Sequence, residues 1–254
     1  MTMTALITGA TSGLGYEFVK LFAKDGYNLV LVARNGQTLE EIKQTYTNVK
    51  VTIISKDLSV PGAAKEVFEE VEKQGISLDV LVNNAGFGLL GKFDELDIHE
   101  QLNMIQLNIT ALTELTYYFL KQMKQRNSGR ILNVASTAAF QPGPLMSVYY
   151  ATKAYVLSFS EALVEELSDS SVTVTTLCPG ATKTNFGSVA NVEGTKMFSR
   201  AMASDIVAKK GYQGMMSGKR VIVTGGLNMA GALGAKFMPR SLAAKIAKYV
   251  AGEK

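Results

Sequence analysis

TGATSGLG, Thr8 to Gly15, sets glycines at Gly9, Gly13 and Gly15, directly after a short apolar run, TALIT, and at the entry to a helix-like stretch, LGYEFVKLFAKDG. The spacing is neither the G-x-G-x-x-G of the common dinucleotide turn nor the G-x-x-x-x-G-K-[ST] of a triphosphate loop, and no lysine follows to meet a triphosphate. Two readings stand on the octapeptide alone. One is a phosphate cradle of different spacing at a helix start, where backbone N–H groups attract anions. The other is a flexible glycine turn with no ligand.

Outward from this turn the chain alternates two textures. YNLVLVA, VKVTIIS, LDVLVNN, GRILNVAS, SVTVTTLCPG and KRVIVTGG read as strands. GQTLEEIKQTY, GAAKEVFEEVEKQG, the stretch from Ile98 to about Arg126, SVYYATKAYVLSFSEALVEEL and DIVAKKGYQGMMS read as helices. The strands are apolar on both faces, as in a parallel sheet covered by helices on both sides. Right-handed β-α-β crossovers then give an α/β fold, an open, doubly wound, mostly parallel sheet. No linker, repeat or low-complexity tract divides it, so residues 1–254 are expected to form a single domain. Two segments escape the rhythm: a loop-like insertion at about 181–204, and a glycine- and methionine-rich extension at about 225–254 that ends in the amphipathic run SLAAKIAKYV.

The composition is globular, 47% hydrophobic and 19% charged. The net charge of +4 comes from scattered basic residues, without the clustered Lys and Arg of a nucleic-acid footprint. One cysteine, Cys178, and one histidine, His99, leave no internal disulfide and no zinc cluster, so no metal site is expected. His99 reads as a surface residue and Cys178 as a buried one. A Ser-His-Asp triad would have to recruit His99, and no G-x-S-x-G elbow supports it. MTMTALITGA has no basic n-region and no long apolar stretch, and no apolar run approaches the roughly 18–20 residues of a membrane span. A cytoplasmic location is the expectation.

Four further features fall at the same edge of the expected sheet as the glycine turn, where open α/β sheets bind ligands. NNAG, Asn83 to Gly86, ends the fourth strand, and Ser136 ends the fifth. Tyr149 stands thirteen residues after Ser136, and Lys153 four after that, on one helix face. PGATKT follows the sixth strand. In this order and spacing the sequence resembles the short-chain dehydrogenase/reductase family, with its T-G-x-x-x-G-x-G turn, N-N-A-G, catalytic serine and Y-x-x-x-K. The resemblance runs from Met3 to Val223 and implies a Rossmann-type fold.

The residues suit acid–base chemistry. Tyrosine has a pKa of about 10, and a cationic Lys153 beside Tyr149 is expected to lower it. Such a phenol can protonate a nascent alkoxide or deprotonate an alcohol. Ser136 can hold the reacting oxygen by a hydrogen bond. The hydride must come from a cofactor. Tyr150 points about a third of a turn away and reads as packing, and Thr137 is the weaker neighbour of Ser136. The resemblance further implies that Lys153, beside Tyr149, binds the nicotinamide ribose, and that Asn108 kinks the long helix and supports a proton relay. It implies that Gly9, Thr11, Ser12, Gly13, Leu14 and Gly15 form the phosphate turn. It places Asp57 and Leu58 at the adenine, Asn84, Ala85 and Gly86 along its ribose, and Thr182 and Thr184 at the carboxamide. Members that use NAD(H) usually carry an acid after the second strand. Here Ala33 and Arg34 stand there, which favours NADP(H), since arginine binds a 2′-phosphate that a carboxylate would repel.

On the substrate side, Phe186, Met197, Phe198 and Met202 in the insertion suit an apolar substrate or equally a lid packed on the core, and Phe140, Leu145 and Met146 offer a second wall. The extension departs from typical 3-oxoacyl-carrier-protein reductases and resembles the DltE-like general oxidoreductases. It would cover the cleft, join subunits or touch a membrane, the last being least favoured because the run is short and only modestly basic. The reading is an NADP(H)-dependent carbonyl reductase or alcohol dehydrogenase acting on a small molecule, as a homodimer or homotetramer. A 3-oxoacyl-thioester reductase and a non-catalytic NADP(H) sensor or scaffold remain as alternatives.

Overall fold

The computed structural model describes residues 2–252; the ends of the expected domain, Met1, Glu253 and Lys254, lie outside the described residues. In chain order the elements are β1 (Thr4–Thr8), α1 (Gly13–Lys24), β2 (Asn28–Ala33), α2 (Gly36–Thr45), β3 (Val51–Ser55), α3 (Ala63–Lys73), β4 (Val80–Asn83), α4 (Ile98–Ile105), α5 (Leu112–Gln125), β5 (Gly129–Val134) and α6 (Ser147–Glu166). There follow β6 (Val172–Cys178), β7 (Thr182–Lys183), α7 (Phe186–Val189), β8 (Met202–Ala203), α8 (Ser204–Met216), β9 (Val221–Val223), α9 (Gly226–Phe237) and α10 (Arg240–Ala251).

Seven strands form one parallel sheet in the order β3-β2-β1-β4-β5-β6-β9. Successive side chains of a strand face opposite ways, and here both ways lead into core. Ala5, Ile7, Leu29 and Leu31 pack with Phe18 and Phe22 of α1 and Val207 and Met215 of α8. Leu6, Val30, Val32 and Leu81 pack on the other face with Val67 of α3, Leu115 and Phe119 of α5 and Leu163 of α6. The strand order reverses between β1 and β4, which opens a crevice at their carboxyl ends.

A buried polar network lies just beneath that crevice. Asn83 Nδ2 donates to Thr116 Oγ1 (3.0 Å) and Asn133 Oδ1 (2.9 Å), and Asn133 Nδ2 donates to Ser160 Oγ (2.9 Å). It joins β4 and β5 to α5 and α6, the helices behind the site. Truncating a buried member leaves its partners without hydrogen bonds in a dry interior. Asn133→Ala is expected to lower stability by about 2–3 kcal/mol in urea denaturation; an unchanged midpoint would show that the network contributes nothing.

The stretch read as one helix from Ile98 to about Arg126 is continuous but not uniform. A π-helical segment, Gln106–Ala111, joins α4 to α5 with Asn108 inside it. The widened turn directs Asn108 inward. Its Nδ2 donates to the Phe87 carbonyl (3.0 Å) and Thr152 Oγ1 (3.1 Å), and its Oδ1 accepts the Phe87 N–H (3.2 Å). Where a kink at Asn108 is expected from sequence, the helix carries a π segment, a device common at functional sites.

The insertion has more structure than a loop. β7 pairs with β8 through Thr182–Met202 and Lys183–Ala203, closing its base. Between them lie α7 and a 3-10 turn, Lys196–Arg200. The extension is a pair of helices. α9 packs on the 3-10 turn Thr137–Phe140 that follows β5, and α10 packs on the turn Lys196–Arg200.

Candidate active site

The carboxyl ends of β1 and β4 are tied together side by side. Thr8 Oγ1 accepts the Asn84 and Ala85 N–H groups (3.0 and 2.9 Å), and Asn84 Nδ2 donates to the Thr8 carbonyl (2.9 Å). The glycine turn is built against this tie. A Cβ on Gly15 would lie 2.1 Å from the Gly9 carbonyl oxygen, so only glycine lets α1 start so close to β1. Gly13 has φ +53° and meets the Thr184 side chain where a Cβ would sit, at 3.0 Å. Ser12 precedes α1 in extended conformation and its side chain makes no capping bond. The first-turn N–H groups are therefore left for an anion.

A cleft of about 650 Å³ runs from this turn across the sheet edge. Every catalytic and cofactor residue singled out in the sequence lines it except Gly15 and Asn108, which lie directly behind its wall. Arg34 is exposed at one end, next to Asn35, whose Oδ1 accepts the Thr38 N–H (3.1 Å) and caps α2. Asp57 Oδ1 accepts from the Ser59 N–H (2.9 Å) and hydroxyl (2.7 Å), which shapes the turn after β3. Thr182 donates to the Gly180 carbonyl (2.9 Å), and Thr184 accepts the Phe186 N–H (3.3 Å).

Ser136, Tyr149 and Lys153 meet at the centre. Ser136 Oγ accepts the Ala138 N–H (3.1 Å) and donates to the Pro179 carbonyl at a long 3.4 Å. Tyr149 and Lys153, one turn apart on α6, are 7% and 5% exposed. Lys153 Nζ donates to the Val134 carbonyl (2.9 Å) and lies 5.8 Å from the centre of the Tyr149 ring. The Tyr149 ring packs on Phe186, 5.4 Å between centres. Tyr150 lies over Gly143, where a Cβ would come within 2.1 Å of its ring.

The electrostatics differ from the sequence expectation. Burial pushes the Tyr149 phenol well above its ordinary value, while the hydrogen bond with Ser136 opposes this and Tyr150 adds to it. Lys153 is itself desolvated and held down to about 8, and burial of the phenol sets the direction of the Tyr149 shift. Burial thus shifts both groups toward their neutral forms; Lys153, at about 8, still carries its proton at neutral pH, and the phenol is poised as a proton donor.

This burial has a consequence for stability. An unfolded lysine titrates at about 10.4. Between pH 8 and that value the unfolded chain binds a proton that native Lys153 has released, so stability rises with pH. Cys178, fully buried and pushed up to about 12, opposes this above about pH 8.5, where an unfolded thiol ionises and the native one does not. Cys178→Ala is therefore expected to gain on the order of 1 kcal/mol per pH unit from pH 8 to about 10, while the parent flattens near pH 9. Urea denaturation across that range checks it, and a fall in the variant would contradict a native Lys153 that has released its proton at this depth.

The substrate wall matches the sequence reading in part. Phe186, Met197 and Phe198 line the cleft, joined by Val189 and Val192, which the sequence pattern did not single out. Met202 packs with the core of the first sheet face instead. Of the proposed second wall only Met146 reaches the cleft. Phe140 turns toward Lys236 of α9 (5.9 Å), and Leu145 sits in a left-handed turn at φ +67°. His99 is exposed, and no cluster of metal-ligating side chains occurs among the described residues.

A seven-stranded parallel sheet with a glycine turn at its switch point and Ser136, Tyr149 and Lys153 beside it is a Rossmann-type fold. Residues 3–206 match the family model for short chain dehydrogenases, and the chain belongs to that family. It is 33% identical over 180 residues to an uncharacterized oxidoreductase of Staphylococcus epidermidis, covering 71% of this chain and 78% of the relative. It is 36% identical over 192 residues to human 17-beta-hydroxysteroid dehydrogenase type 3, covering 72% of this chain and 60% of that protein. Among solved structures it is similar to a short-chain dehydrogenase from Sphingobium yanoikuyae in complex with NADPH. That match has a TM-score of 0.82 and 30% identity, and covers 92% of this chain and 93% of the other.

Proposed function

We propose that the protein moves a hydride between NADP(H) and the carbonyl or alcohol carbon of a small apolar substrate. The observation that carries the proposal is the meeting of half-buried Ser136 with buried Tyr149 and Lys153 on one cleft whose far end holds Arg34. The cleft fits the cofactor: the uncapped start of α1, which lines it, leaves backbone donors for a diphosphate, and Arg34 offers a fork for a 2′-phosphate. The NADPH held by the Sphingobium yanoikuyae protein supports the same reading. When bound, the nicotinamide supplies the hydride, which no side chain can.

The chain's own groups handle the proton. Ser136 Oγ–H, only weakly held by Pro179, turns to donate to the substrate carbonyl oxygen. Tyr149 Oη–H protonates that oxygen in reduction and takes the proton back in oxidation. Lys153 offsets charge on the phenolate, and Asn108, with Thr152, positions α6 against the Phe87 backbone. Phe186, Met197 and Phe198 exclude water from the substrate end.

The extension supports placement among the DltE-like general oxidoreductases. Exposed Ile98, Leu102, Ile105 and Tyr117 along α4 and α5, with Tyr155 on α6, support a homodimer or homotetramer. The lone buried cysteine supports a reducing, cytoplasmic setting. No helix of the described residues is long and apolar enough to cross a membrane.

NADPH oxidation against a panel of aldehydes, apolar ketones, quinones, steroids and 3-oxoacyl thioesters tests the reading. Turnover ranked toward apolar ketones or steroids supports it. A ranking led by 3-oxoacyl thioesters would favour the thioester reductase. Tight NADPH binding with no turnover anywhere would favour the sensor.

A further inference from the structure

We propose that the C-terminal helix pair, α9 and α10, is a docking surface for an anionic lipid bilayer. The two helices are packed inside out. α10 turns Ala243, Ala247 and Ala251 toward the protein and leaves Leu242 46%, Ile246 42% and Tyr249 68% exposed, at i, i+4 and i+7. α9 buries Ala232 alone and exposes Met229, Leu233 and Phe237 at i, i+4 and i+8, with Phe237 at 88%. A helix that only completes its own domain puts its large apolar residues inward. Here the smallest side chains face in and the largest face out.

Charge selects the occupant. From Gly226 to Gly252 the chain has four basic residues, Lys236, Arg240, Lys245 and Lys248, and no acid. All four are exposed. The segment from residue 226 to the end has five basic residues and one acid, so the whole net charge of +4 resides in it and the rest of the chain is neutral. A second copy docked here through a two-fold axis would bring two like-charged surfaces together. An anionic bilayer instead takes the large apolar side chains and attracts the lysines at its rim. From sequence alone membrane contact is the least favoured role, because SLAAKIAKYV is short and only modestly basic. The structure adds a second helix and shows that both apolar stripes face outward.

The surface adjoins the lid. Lys196 lies over the Tyr249 ring (3.8 Å), and its N–H donates to the Gly252 carbonyl (3.4 Å). Docking therefore sets the turn carrying Met197 and Phe198 beside the lipid. Its use for entry of a lipid-soluble carbonyl compound rests on the proposed function, whereas docking itself does not.

The test is co-sedimentation of the full chain with mixed phosphatidylglycerol–phosphatidylcholine vesicles and with pure phosphatidylcholine vesicles, at low and high salt. Binding is expected to the anionic vesicles, weakening with salt. Lys245→Glu/Lys248→Glu and Phe237→Ser/Ile246→Ser are each expected to reduce it by roughly tenfold or more. Thermal melts and NADPH binding confirm that the variants fold. Absence of sedimentation with anionic vesicles, or equal sedimentation of parent and both variants, would overturn the proposal. So would a parent that ignores vesicles but forms an oligomer that Phe237→Ser/Ile246→Ser dissociates, which would assign the face to a second copy.

Discussion

Tyr149→Phe is expected to lower kcat by about 10²–10⁴ while leaving NADPH affinity and thermal stability close to those of the parent. The substitution removes one oxygen and keeps the ring. The contact with Phe186 at 5.4 Å depends on the ring, so the lid and the core of the substrate end stay as they are. What is lost is the only phenol placed at Ser136. Tyr150 does not replace it, because its ring is committed to the backbone at Gly143. Tyr150→Phe is accordingly expected to keep most of the turnover. Steady-state kinetics and cofactor titration on the two variants separate the roles. A Tyr149→Phe enzyme with parental kcat would remove the phenol from the mechanism.

Arg34→Asp is expected to invert the cofactor preference. An arginine bound to a phosphate contributes about 1.5–3 kcal/mol, so losing it lowers NADPH affinity by roughly 10–100-fold. The new carboxylate repels the 2′-phosphate and can pair with the ribose hydroxyls of NADH. Arg34→Ala is expected to erase the preference without inverting it. The fold should tolerate both changes, since the Arg34 side chain is exposed and only its backbone carbonyl is engaged, by Ser55 Oγ at 3.1 Å. Fluorescence titration with the two cofactors measures the ratio. Equal affinities in the parent would remove Arg34 from cofactor selection.

The sheet and the centre of the site were legible in the sequence because their signals are local and strong. Strands such as NLVLVA, with Leu29 and Leu31 bound for one face and Val30 and Val32 for the other, are apolar throughout and read as buried parallel strands. Tyr149 and Lys153 share a helix face by spacing alone. Other features depend on distant partners. β7 and β8 are two residues each, too short for any period, and exist because each pairs with the other. The inward turn of Asn108 needs the Phe87 backbone and Thr152 to receive it. Asn83 and Asn133 look alike in sequence to any polar strand residue, and only register across the sheet joins them. Burial at Tyr149 outweighs the effect expected from Lys153, and depth is not written in a four-residue spacing. In the extension, amphipathicity was visible but not its direction: the run SLAAKIAKYV shows two faces, and packing on the Lys196–Arg200 turn decides which of them is covered.

The most direct test of the account is to run the reaction with NADPH doubly deuterated at the nicotinamide C4 and an apolar ketone from the panel, then to examine the product alcohol by mass spectrometry. The account predicts one deuterium on the carbinol carbon, formed by the parent and by Tyr150→Phe and nearly absent with Tyr149→Phe. An alcohol without deuterium, or deuterium transfer unchanged in Tyr149→Phe, would contradict it.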